Sequence, residues 1–397
     1  MINRHQAIIL VIICVLATKL QRLPSIISYS VGRDGWFVLL ILGILDLIYL
    51  MISLWFFNRH NQTSNLYEVL VKSGGKFFAK LFLLFLATYF FIMAVLPFAA
   101  IHDLFANILF DELNYTYFGL IFLFVVMFMA LKGIQTLGRQ GEIYVGIIGV
   151  GIIGVLLLSI PVTQIDRILP MLDISATKIV KEVLYNSLWF GDFMIIFFIT
   201  GMVNMRKNEK LGWRLFLPYA ILVLIIIPSA YVVFYSIYNN LAGFKTNAIS
   251  SLTQFSLLTL DIGRVDWFLV LFEQISTILS SSVFVFITAT CLCKTLGIKK
   301  QSILIILLSS ALFIIDVFVF VNMDLFIPRF RKVVYIYCLF INYVLPFIFV
   351  VCSLVFAKKQ RKQKNDSKIE QSKIIHTKTT KKLKLSGQKP IAGGQDG

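Results

Sequence analysis

Ala17-Thr18-Lys19-Leu20-Gln21-Arg22-Leu23-Pro24 lies where the hydrophobic segment that starts at Ala7 should be most apolar. A second interruption, Leu188-Trp189-Phe190-Gly191-Asp192, cuts the sixth apolar segment before Phe193 to Ile199 resumes it. Interrupted helices at matching positions of two halves mark the binding site of secondary-transporter-type folds, near mid-bilayer. The sequence is therefore read as a membrane protein that holds a small molecule at two helix breaks.

Composition agrees. Hydrophobic residues make up 58% of the chain and charged residues 14%, against about 25% charged in soluble domains. Mean hydropathy is +0.86. Segment one carries too many charges, and no small-residue cleavage site, for a removable signal peptide, so it is read as a retained span. Cys14, Cys291, Cys293, Cys338 and Cys352 lie in or beside apolar runs without a CxxC pair, and His5, His60, His102 and His376 are scattered. No metal site, cofactor or catalytic group is expected.

A helix crossing about 30 Å of hydrocarbon needs about 20 mainly apolar residues. That template gives about ten spans: 6–30 (broken), 36–57, 77–101, 114–132, 143–163, 184–205 (broken), 214–237, 267–293, 302–322 and 333–357. Long runs without period-2 alternation exclude a barrel. The fold class is an all-α integral membrane protein, with spans one to five and six to ten as a 5+5 inverted repeat. Each half opens on its broken span. Gly146, Gly149, Gly151 and Gly154 are read as a close helix-packing face of segment five.

Two domains follow: a membrane domain, 1–357, and a tail, 358–397. The net charge of +17 is concentrated in that tail, where twelve basic residues face only Asp366, Glu370 and Asp396. The tail is expected to be disordered and to rest on anionic lipid, at about 1 kcal/mol per basic residue near the surface. Nucleic acid is not expected as a partner. Basic loops such as Arg206, Lys207, Lys210 and Arg214 alternate with acidic ones such as Asp103, Asp111 and Glu112. This bias puts both termini in the cytoplasm.

The breaks supply the candidate ligand-binding residues: Thr18, Gln21 and Pro24 in the first, Trp189, Phe190, Gly191 and Asp192 in the second. Half-helix N-termini receive an anionic group, and free carbonyls at the opposing ends receive an ammonium. An amino acid zwitterion matches both. A carboxylate at a helix centre costs roughly 2.5–3.5 kcal/mol to insert, which makes Asp192 a functional candidate. Glu273 and Ser276, with Gln274 and Ser280, form a polar stripe on segment eight. Lys19 and Arg22 either snorkel outward or form internal ion pairs with Asp192, Asp46 or Glu273.

Several motifs resemble those of the B subunits of spore germinant receptors, within the amino acid–polyamine–organocation transporter superfamily. Asn3-Arg4-His5-Gln6 is similar to the family's start before span one, and Arg33-Asp34-Gly35-Trp36 to its opening of span two. Gly133-Ile134-Gln135-Thr136 with Arg139 and Glu142 resembles the loop before span five. Gly191-Asp192 stands where Gly-Glu is usual. Gly263-Arg264-Val265-Asp266 resembles the signature before span eight.

The resemblance implies a LeuT-like fold with the germinant between spans one, three, six and eight. It implies receptor A and C subunits as partners, in the inner membrane of a spore-forming bacterium, with ligand binding triggering germination. The expected function is germinant sensing, the expected ligand a small amino-acid-like molecule. The alternative is a proton- or cation-coupled amino acid transporter of the same fold. Lys19, Gln21 and Arg22 depart from the small residues usual at the first break, and Asp192 is one methylene shorter than the usual Glu.

Overall fold

The structure is a computed structural model that describes residues 2–59, 66–104, 115–203, 213–245, 247–254, 266–321 and most of 336–351. Among the described residues every regular element is helical, and a single isolated bridge pairs Ile2 with Val203. Six helical stretches are long and apolar enough to cross a membrane: Leu23–Ile52, Gly75–Phe98, Ile134–Val162, Trp213–Phe244, Glu273–Leu296 and Gln301–Phe318. Helices satisfy their backbone groups internally, which hydrocarbon demands.

The first span is two helices. Helix α1 (Arg4–Lys19) opens on a capping box, in which Asn3 and Gln6 satisfy each other's end of the first turn. It stops at Leu20, and α2 (Leu23–Val31) restarts with Pro24 at its second position, where a missing N–H costs nothing. A short 3-10 turn, Gly32–Asp34, leads into α3 (Gly35–Arg59).

Helix α4 (Leu66–Leu104) changes direction at Gly75, whose backbone is left-handed at φ 88°, so its membrane part begins there. Helix α5 (Tyr115–Lys132) is joined to α6 (Ile134–Ser159) by Gly133 alone, at φ 84°. Helix α6 thus starts nine residues before the expected 143.

Glycine packing also differs from the expectation. A Cβ on Gly146, Gly149 or Gly154 would meet nothing within 4 Å. The close approach to α1 is made one to two turns earlier. Gly138 faces Gln6 and Ile2, and Gly141 faces Ile9 and Leu10 at 3.2–3.4 Å. Of the expected stripe Gly151 is buried, while Gly146, Gly149 and Gly154 face open space on a helix that is only 28% buried along its span.

The second half begins with α7 (Ala176–Tyr185), an amphipathic helix that hydropathy did not reveal because only Ile179 and Val183 turn inward. A 3-10 turn, Ser187–Trp189, precedes α8 (Asp192–Thr200). The next span consists of α9 (Leu217–Ile221), a π-helical turn at Leu222–Ile226 and α10 (Ile227–Tyr238). A short buried helix, α11 (Ala248–Gln254), lies before α12 (Asp266–Leu296), and α13 (Gln301–Val321) follows. Helix α12 is central: it packs on α4 above all, then on α6, α1, α5 and α13. Its Glu273–Leu296 stretch is 72% buried, against 28% for Gln301–Phe318. The described residues of the expected tenth span are helical and include a π-helical turn, Phe340–Val344, and the basic tail from 358 lies outside the described residues.

Candidate functional site

The two breaks meet. The Lys19 ammonium, at the end of α1, lies 3.9 Å from the centroid of the Phe190 ring, just before α8. Lys19 is wholly buried, so it does not snorkel. A desolvated cation over an aromatic face gains about 2 kcal/mol or more. Trp189 and Phe190 are both buried beside it.

Gly191 is glycine because two side chains reach the backbone there. A Cβ would overlap the Tyr89 hydroxyl from α4 and come within 2.8 Å of Asn342 Oδ1. Asn342 donates its amide to the Ser187 carbonyl in the same break. The backbone of Asp192 opens α8; its side chain lies outside the described residues.

On the α1–α2 side, the Gln21 carbonyl accepts a 2.6 Å hydrogen bond from the Ala248 N–H of α11. The Gln21 amide donates to the Thr277 hydroxyl of α12. On α11 itself, Ser250 donates to Glu273 Oε2 at 2.8 Å. Break, inserted helix and central helix are thereby tied through three polar contacts. Glu273, Thr277 and Ser280 fall within about 60° of one another on α12, at 100° per residue, and all are buried.

Not every expected residue faces this cluster. The Thr18 hydroxyl donates to Cys14 and Val15 carbonyls of its own helix. Ser276 likewise donates to the Glu273 carbonyl. Pro24 is buried, and its carbonyl accepts from Ser28.

Asp46 accepts from the Tyr219 hydroxyl of α9. A carboxylate in electrostatic reach of Arg22 is Asp316, buried in α13. Asp316 is missing from the expected set, although an acid inside an apolar run is the same signal that singles out Asp46 and Glu273. Thr277, four residues after Glu273, was legible on the same grounds. Asn247 and Ser250 carried no signal, because nothing in a short loop sequence says that it folds back into the bundle.

The family-like motifs divide by depth. Gln6 donates to Glu142 Oε2 at 2.9 Å, which joins the start of α1 to the Arg139–Glu142 turn of α6; Arg139 is exposed. At the opposite end, the Asp34 carboxylate accepts the N–H groups of Leu172, Asp173 and Ile174 at 2.7, 3.0 and 3.2 Å. Arg33 pairs with Asp173 and donates to the Leu169 carbonyl at 3.2 Å. Gly263 and Arg264 lie outside the described residues, as does the side chain of Asp266.

Comparison with curated proteins finds no match. The model of the family described as spore germination protein matches residues 1–325, which takes in both breaks, α11 and the polar face of α12. An integral membrane helical bundle with that match belongs to the spore germination protein family.

Proposed function

We propose that this protein is the germinant-sensing, B-type subunit of a spore germination receptor, and that it binds a small amino-acid-like ligand between its two helix breaks. The proposed architecture is LeuT-like, about ten transmembrane helices in a 5+5 inverted repeat spanning 1–357. The observation that carries the reading is the meeting of the breaks, with buried Lys19 over Phe190. Half-helix ends at the two breaks, with Glu273 tied to the first through α11, suit a zwitterion. Receptor A and C subunits would receive the signal. The charge bias of the loops supports cytoplasmic termini in the inner membrane, with the tail 358–397 on anionic lipid.

The test uses the full chain reconstituted in liposomes and a panel of radiolabelled amino acids. A ligand at about 100 times its dissociation constant stabilises the fold by about 2.7 kcal/mol, and Asp192→Asn should remove that gain. Stabilisation without accumulation of label inside the vesicles supports sensing. Accumulation would instead assign the amino acid transporter of the same fold. A panel with no stabilising compound would sink the binding reading.

A further inference from the structure

The cluster around Gln21 holds more hydrogen-bonding capacity than the protein uses. Asn247 is 1% exposed and Gln274 is 4% exposed, and among the described residues neither side-chain amide has a partner for its oxygen or its nitrogen. Gln21 Oε1, Glu273 Oε1 and Ser280 Oγ are also without partners. Buried polar atoms are almost always paired, and each orphan in a native fold calls for a bound water, ion or ligand. Left unpaired, such a group costs about 1–3 kcal/mol. Other such atoms lie elsewhere in the bundle, among them Trp36 Nε1, Gln140 Oε1 and Ser309 Oγ, but Asn247 and Gln274 are the two side-chain amides with both polar atoms in this state.

Connectivity places the two amides. Asn247 precedes Ala248, whose N–H bonds the Gln21 carbonyl in the first break. Gln21 reaches Thr277, and Ser250 reaches Glu273. Gln274 points about 100° round α12 from Glu273, in nearly the direction of Ser281. The Ser281 hydroxyl meets the Ala94 carbonyl of α4 at 3.4 Å. Asn247, just before α11, therefore stands next to the contact that α11 makes with the first break, and Gln274 lies on the side of α12 turned toward α4.

The chemistry of the set is specific. Two carboxamides each offer a donor and an acceptor, Ser280 offers a hydroxyl, and Glu273 keeps one oxygen for a cation or a donor. We propose that the ligand is an amino acid whose side chain is uncharged but rich in hydrogen bonds, ending in a carboxamide or hydroxyl. Its ammonium goes to Glu273 and its side chain to the amides of Asn247 and Gln274. An alkyl side chain would leave both amides buried and unpaired, which is how a polar site rejects an analogue lacking the polar group. Asn247 also makes α11 part of the site, so a bound ligand holds this segment against the first break. The proposal rests on the binding reading above and adds the ligand's class.

The experiment is thermal stability and equilibrium binding of the full chain in liposomes, with L-glutamine, L-asparagine, L-serine, L-alanine, L-valine and myo-inositol as probes. Asn247→Leu and Gln274→Leu are near-isosteric and remove only orphan groups, so both variants should fold, with ligand-free stability equal to or above that of the parent. The expected result is binding of a carboxamide or hydroxyl amino acid, weakened about tenfold by either variant, equivalent to about 1.4 kcal/mol. Binding of alanine or valine with equal or greater affinity, unchanged in Asn247→Leu, overturns the ligand class and leaves the binding reading standing. Binding of inositol alone also overturns it, since no ammonium is then involved. No binding by any probe overturns both.

Discussion

Two polar regions of this molecule are built in opposite ways. At one end of the bundle, the corner between α2 and α3 is a closed set of bonds. Asp34 accepts three backbone N–H groups, Arg33 meets Asp173, and Tyr231 donates to the Gly32 carbonyl. Arg167 extends the set to the carbonyls of Ser236 and Ile237. Where α11 and α12 approach the α1–α2 break, the buried amides of Asn247 and Gln274 have no partner among the described residues. The first region spends its charged and carbonyl groups on bonds between segments and so holds α3, the 165–174 segment and α10 in one arrangement. The second holds bonding capacity in reserve, which is how a site differs from a clamp.

Substitutions can break or sharpen this contrast. The largest effect is expected at Gly191→Val, where the added side chain overlaps Tyr89 and crowds Asn342. It should destabilise by about 3 kcal/mol, read by SDS-induced unfolding in mixed micelles. An unchanged midpoint would mean that the second break is looser than its packing indicates.

Next comes Asp34→Ala, which strands three N–H donors and should cost about 2 kcal/mol in the same assay. A loss below a few tenths would remove the clamp from the comparison. Opposite in sign, Gln274→Leu exchanges orphan polar atoms for apolar ones and should stabilise the ligand-free protein by about 1 kcal/mol. If it destabilises as strongly as Asp34→Ala, the amide has structural partners and the contrast fails. The smallest change is Gly146→Ala, on an open face of α6. Helix propensity alone predicts a gain of up to about 1 kcal/mol there, and a loss would restore the close-packing role expected from sequence.

The clamp and the site were unequally legible. Asp34 sits in a motif, Arg33-Asp34-Gly35-Trp36, but its three backbone donors come from residues 172–174, whose pairing no local signal announces. Gln21 and Glu273 stood out because polar residues inside apolar runs carry an insertion cost that needs a reason. Asn247 did not stand out, since a polar residue in a connection is ordinary until that connection is buried.

The sequence by itself determined that the chain is a helical membrane protein and that the first and sixth segments break. Each follows from local chemistry: hydrocarbon accepts only long apolar helices, and Gln21-Arg22 and Gly191-Asp192 cannot continue them without cost. Only the tertiary structure decided which groups face one another. Lys19 lies over Phe190 rather than at the surface, Asp46 takes Tyr219, Arg22 answers to Asp316, and α11 folds in to complete the polar cluster. Such pairings depend on how distant helices cross, and on residues brought together from far apart in the chain, which the sequence pattern of any one helix does not encode.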